Sequence, residues 1–106
     1  MDPLFVETLG IKNKIKHIEA IKAVGDSMEP TIKDGALVLI DKSDVNIEKS
    51  GVFAVNASGS VYIKRISKSI GGMVEIISDN TLYPKESFTP EEVFVIGRIL
   101  GLVERV

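Results

Sequence analysis

A serine on a glycine turn and a lysine set into an apolar strand are the two side chains in this sequence most able to do chemistry together. Ser27 lies in Gly25-Asp26-Ser27-Met28-Glu29-Pro30-Thr31. Glycine before it and proline after it fix a tight turn that would hold the hydroxyl at one exposed point. The same residue types also make an ordinary strand-to-turn junction for backbone reasons alone. Lys64 lies in Val61-Tyr62-Ile63-Lys64-Arg65-Ile66. Strand alternation puts Tyr62, Lys64 and Ile66 on one face and Val61, Ile63 and Arg65 on the other. A lysine so placed is either an edge-strand gatekeeper or a buried amine. Burial penalises the ammonium and can leave a neutral amine that accepts a proton. Serine is a poor nucleophile until a base takes its proton. With one histidine, His17, and no cysteine, a desolvated lysine is the obvious base. The two residues lie on different expected strands, so only the fold can bring them together. A third stretch, Ser78-Asp79-Asn80-Thr81-Leu82-Tyr83-Pro84, is a polar turn that Asx-turn formation explains, and as chemistry it is weak.

The elements that must position these residues read as strands. The chain has 26 valines and isoleucines against 12 leucines and alanines, a bias that suits a pleated, half-buried surface. Turn signals recur at Asp34-Gly35, Lys49-Ser50-Gly51, Ala57-Ser58-Gly59, Gly71-Gly72 and Ser78-Asp79-Asn80. Between them lie apolar runs at residues 18–24, 36–40, 51–56, 61–66, 73–77 and 94–106, with Ser58-Gly59 at hairpin distance between two of them. Gly97 and Gly101 inside the last run predict bulges or bends that curl a small sheet. That run, from Val93 to Val103, fits a central strand or an exposed edge pairing across a dimer. Glu91 and Glu92 after Pro90 fit a turn or first helical turn. Ile11, Ile15 and Ile18 have helical spacing over too short a stretch to define a helix. Phe88, Phe94 and Tyr83 are few enough to be core or dimer contacts rather than a base-stacking platform. The expectation is one all-β domain over residues 18–106, with 1–17 a lead-in or remnant of an interdomain linker.

Composition narrows the function. The 106 residues carry 13 basic and 15 acidic side chains, net −2, which argues against a free-standing nucleic-acid binder. Lys12, Lys14 and Lys16 read as a solvated face. The cysteine and histidine counts exclude a disulfide frame and a histidine-rich metal centre; no cofactor is expected. No apolar run approaches the roughly 20 residues of a membrane span, and the N-terminus lacks a signal-peptide layout. A soluble, cytoplasmic domain is expected.

Five segments in order resemble the C-terminal domain of LexA and lambda-type phage repressors. They are Gly25-Asp26-Ser27-Met28-Glu29-Pro30, Asp34-Gly35, Val61-Tyr62-Ile63-Lys64-Arg65-Ile66, Ser78-Asp79-Asn80 with Tyr83-Pro84, and Val95-Ile96-Gly97-Arg98-Ile99. The resemblance covers residues 18 to 106. It implies a compact, strand-rich domain that dimerises and cuts its own chain with a serine–lysine dyad. Ser27 matches the nucleophile and Lys64 the general base, and the backbone amides of Asp26 and Ser27 match the oxyanion hole. It further implies RecA-filament-stimulated cleavage after DNA damage, and operator binding through an N-terminal domain absent from this sequence. Two departures stand out. The scissile bond of the family would fall before Met1, and no helix-turn-helix is present. Type I signal peptidase shares two similar boxes, but residues 1–26 are too short and charged to anchor it. A UmuD-like polymerase accessory subunit and a non-catalytic dimerisation module are the remaining alternatives.

Overall fold

The β-branched bias is expressed as seven strands. The structure, a computed structural model, describes residues 17–104. The strands are β1 (Ile18–Lys22), β2 (Leu37–Asp41), β3 (Gly51–Ala57), β4 (Ser60–Lys68), β5 (Val74–Ile77), β6 (Glu86–Phe88) and β7 (Phe94–Val103). They form one antiparallel sheet in the order β1-β2-β7-β3-β4-β5-β6. The all-β expectation holds. Ser58 and Gly59, both with φ in the left-handed region, make the β3–β4 turn and pair Ala57 with Ser60. Pro90–Glu92 forms a single 3-10 turn, closed by Glu92 reaching back to the Thr89 amide at 2.8 Å. Lys12, Lys14, Lys16 and most of the lead-in lie outside the described residues. Among the described residues no helix is long and apolar enough to cross a membrane.

The long final run is a central strand, which overturns the exposed-edge alternative: β7 bonds β2 on one side and β3 on the other. Bulges fall beside its glycines. Ala54 pairs with Gly97 while Val55 pairs with Val95, so Ile96 is extra. Leu39 pairs with Gly101 while Ile40 pairs with Ile99, so Leu100 is extra. A Cβ at Gly97 would sit 2.5 Å from the Asp41 carbonyl oxygen, which makes glycine obligatory where β2 and β7 close up.

Alternation along β3 and β4 supplies two cores on opposite faces of the sheet. Ala23, Met28, Ile32 and Val38 form one, with Val52 and Ile63 packed against it. Phe53, Val55, Ile66 and Val74 form the other. The short strand β6 was not foreseen; its one apolar residue, Phe88, and two polar neighbours carry no strand pattern. It exists because β5 offers a free edge to it.

One edge segment has no strand beside it among the described residues. β5 pairs with β4 only from Arg65 to Lys68. Among the described residues, residues 60–64 of β4 are therefore hydrogen-bonded to β3 alone, and Lys64 is the last residue before that pairing begins.

Candidate active site

Ser27 sits where β1 leaves the sheet. Gly25, at φ +94°, turns the chain, and its N–H donates to Asp34 Oδ1 at 2.8 Å. The Glu29 N–H donates to the Asp26 carbonyl and the Ile32 N–H to the Met28 carbonyl, at 3.1 and 2.9 Å, which closes a compact turn. Met28 and Ile32 drive this turn into the first core, both 4% exposed. Burial of these two side chains, each worth about 2 kcal/mol, fixes the half-buried Ser27 between them and Gly25. The Asp26 and Ser27 amides have no acceptor among the described residues. Ser27 borders an apolar cleft walled by Ile21, Met28, Ile32, Val61 and Ile63.

Lys64 comes from the opposite face. Its cross-strand partner is Phe53, and it shares a hollow with Tyr62, Ile76, Glu86 and Phe88. The side chain is half-buried. Burial lowers its pKa below the ordinary lysine value of 10.5, and the Glu86 carboxylate partly opposes that. Tyr62 borders both the serine cleft and the lysine hollow.

The piece that joins them is the polar turn read as chemically weak. Its Asx turn is present, with Asn80 Oδ1 accepting the Leu82 N–H at 3.0 Å. Its other groups reach across the fold. Lys64 Nζ donates to Ser78 Oγ at 2.7 Å. Asp79 receives a two-pronged bond from Arg65 at 2.8 Å on each oxygen, and the Thr31 hydroxyl at 2.6 Å. The Arg65 bond holds the Asp79 carboxyl below its ordinary value and raises the guanidinium. Asn80 clasps the serine turn from above, its N–H on the Ser27 carbonyl at 2.9 Å and its amide NH₂ on the Asp26 carbonyl at 3.0 Å. The Tyr83 hydroxyl donates to the Asp26 carboxylate, which raises the phenol's pKa, and the Tyr83 ring centre lies 5.7 Å from Lys64 Nζ.

The structure thus docks Ser27 and Lys64 on one turn, Ser27 through its backbone and Lys64 through its amine. It does not join them directly: among the described residues the Ser27 hydroxyl has no hydrogen-bond partner, and Lys64 Nζ is bonded to Ser78. Sequence reasoning singled out both ends and named the connector too, but read it as a plain turn and missed its reach to both. The only local signal for Ser78 was its polarity directly after the apolar Ile76-Ile77 pair.

This arrangement has relatives. A profile of the family described as Peptidase S24-like matches residues 5–100. The chain is 36% identical over 75 residues to the repressor protein CI of Enterobacteria phage phi80, covering 71% of this chain and 32% of that protein. It is 34% identical over 85 residues to the LexA repressor of a Ruegeria species, covering 79% and 35%. The HTH-type transcriptional regulator PrtR of Pseudomonas aeruginosa is 31% identical over 70 residues, covering 65% and 27%. The chain spans about a third of the length of these relatives.

Proposed function

This chain belongs to the Peptidase S24-like family, and from that premise we propose that it is the dimerising, self-cleaving part of a LexA- or phage-repressor-like regulator. The observation that carries the reading is the convergence of the Ser27 turn and the half-buried Lys64 on the Ser78–Tyr83 turn. Ser27 is the nucleophile and Lys64 the general base. Neutral Lys64 Nζ takes the Ser27 proton as Oγ bonds to a main-chain carbonyl carbon. The Asp26 and Ser27 amides, which have no acceptor among the described residues, receive the negative charge on the carbonyl oxygen. The lysine ammonium then gives its proton to the departing amine, and water releases the acyl group from Oγ.

The substrate segment is a stretch of the regulator's own polypeptide. The open edge of β4 beside Lys64 and the apolar cleft beside Ser27 suit an extended stretch of chain. Leu37 and its cross-strand partner Val103 are 45% and 43% exposed, and Leu100 and Leu102 are similarly open. Leu37 and Val103, which share a face of the sheet, supply the homodimer contact through side chains rather than a strand edge. The partners are a second copy, operator DNA through an N-terminal domain, and a RecA filament that triggers cutting after DNA damage in the cytoplasm. Cutting weakens operator binding because the two DNA-reading halves are no longer held by one linked dimer.

The test is the size of the native protein in its source cells, by antibody and intact mass, before and after DNA damage. A longer species that shortens to about this domain, and a Ser27→Ala strain in which it does not, are expected. An unchanged length in both strains would discard self-cleavage and favour a binding module that keeps its dyad unused.

A further inference from the structure

Ser78 is 8% exposed, yet its hydroxyl does nothing for the turn that contains it. The turn is held by Asn80 on Leu82 and by Asp79 on Arg65 and Thr31. Its backbone bonds, from the Asn80 and Tyr83 amides, use no side chain of Ser78. Among the described residues, the single hydrogen bond of Ser78 Oγ is the one from Lys64 Nζ, at 2.7 Å. A buried hydroxyl whose only described partner is an amine suits a role in holding that amine.

We propose that Ser78 is a positioning residue for Lys64, holding Nζ in one orientation through both of its protonation states. The claim rests on the serine–lysine reading above and adds a third side chain to it. A hydroxyl both accepts and donates, so it can bond an ammonium and a neutral amine alike. A carboxylate at this position would favour the ammonium alone, and a methyl would leave Nζ free to rotate. With one N–H directed to Ser78, the nitrogen lone pair is kept for the Ser27 proton. Other charged groups near Lys64 are engaged or offset to one side. Glu86 faces it from β6, Arg65 and Asp79 neutralise each other, and Asp26 is bonded to the Tyr83 hydroxyl whose ring flanks the amine.

The experiment needs no natural substrate. A fluorophosphonate reacts with an activated serine: Oγ bonds to phosphorus, fluoride leaves, and the serine proton passes to Lys64. Labelling of the 106-residue chain is followed by intact mass from pH 6 to 11, in wild type, Ser78→Ala, Ser78→Thr and Lys64→Met. Ser78→Ala is expected to lower the high-pH plateau about 100-fold, the scale of a misplaced reacting group. It should also move the inflection to lower pH, because the ammonium loses its acceptor. Ser78→Thr should keep both plateau and inflection, and Lys64→Met should abolish labelling. A Ser78→Ala profile like wild type beside a dead Lys64→Met overturns the positioning role alone. So does a lowered plateau with an unmoved inflection, which marks a merely structural serine. Wild-type labelling in Lys64→Met overturns the serine–lysine reading itself.

Discussion

Arg98 and Lys64 flank Phe53 in one cross-strand row, Arg98 from β7 and Lys64 from β4, and the fold treats the two cations in opposite ways. The Arg98 guanidinium stacks over the Phe53 ring at 4.4 Å from its centre. It also reaches Asp44 Oδ2 at 2.8 Å and the Asn46, Lys49 and Ser50 carbonyls at 2.9, 2.8 and 3.4 Å. Five fixed donors thus meet four oxygens, and the loop from β2 to β3 is gathered around the guanidinium. Lys64 has one hydroxyl partner and partial burial. The lesson is that neighbouring positions on one strand row can fix a cation as a structural clamp or leave it lightly partnered. Which one results depends on how many oxygens the surrounding loops deliver.

Replacing each cation by methionine should expose the contrast most sharply. Lys64→Met and Ser27→Ala should each reduce self-cleavage or serine labelling by about 10⁴-fold or more, the usual loss when a member of such a dyad is removed. The urea midpoint should stay unchanged or rise. A Lys64→Met protein that unfolds at lower urea than wild type would mean the lysine is structural and the contrast false. Arg98→Met should do the reverse, destabilising by about 3 kcal/mol in urea titration as the Asp44 carboxylate and three carbonyls lose their donor. Arg98→Lys should recover little, since an ammonium cannot span that fan of acceptors.

Gly51 sharpens the arginine side. A Cβ there would lie 2.3 Å from Arg98 Nη1, so Gly51→Ala must push the guanidinium out of its seat. A cost of about 1–2 kcal/mol is expected, and it should shrink in an Arg98→Met background, which a double-mutant cycle would read.

The smallest effects lie in pH. Burial alone would raise the Asp44 carboxyl, but bonds from the Asn46 N–H and Arg98 hold it below the ordinary 3.8. Its contribution is full above 3.8 and is lost as pH falls through the lowered folded value; Asp79, held down by Arg65, behaves alike. Lys64 has the opposite sign. In the window between its lowered folded value and 10.5 the unfolded chain binds the extra proton, so stability should rise with pH there. Urea titrations across both windows should show the alkaline rise vanish in Lys64→Met and the acid loss survive it.

The strands were legible because burial leaves a local trace. Valine and isoleucine runs ending at glycine turns located six of the seven strands to within a few residues, and Ser58-Gly59 located the hairpin. β6 was not legible, since Glu86-Ser87-Phe88 becomes a strand only by docking on β5. In the site, Ser27 stood out through its turn and Lys64 through its apolar neighbours. The Ser78–Tyr83 turn did not, because its bonds to Asp26, Ser27 and Lys64 span long stretches of chain and follow no period. An Asx turn has a sequence signature; an acceptor delivered to a distant amine has none.

The two bulges of β7 carry a consequence for how that strand is written. Each extra residue resets the odd–even phase of the side chains. Val95 and Gly97, which an unbroken pleat would aim the same way, stand opposite Val55 and Ala54, which aim in opposite ways. A second reset follows at Leu100. The strand is three short phrases in alternating phase, and that is why its ten residues read as nearly continuous apolar text with no alternation. Insertion or loss of one residue between the two bulges would invert the middle phrase while sparing its neighbours. That phrase, Gly97 to Ile99, holds both the obligatory glycine and the arginine clamp.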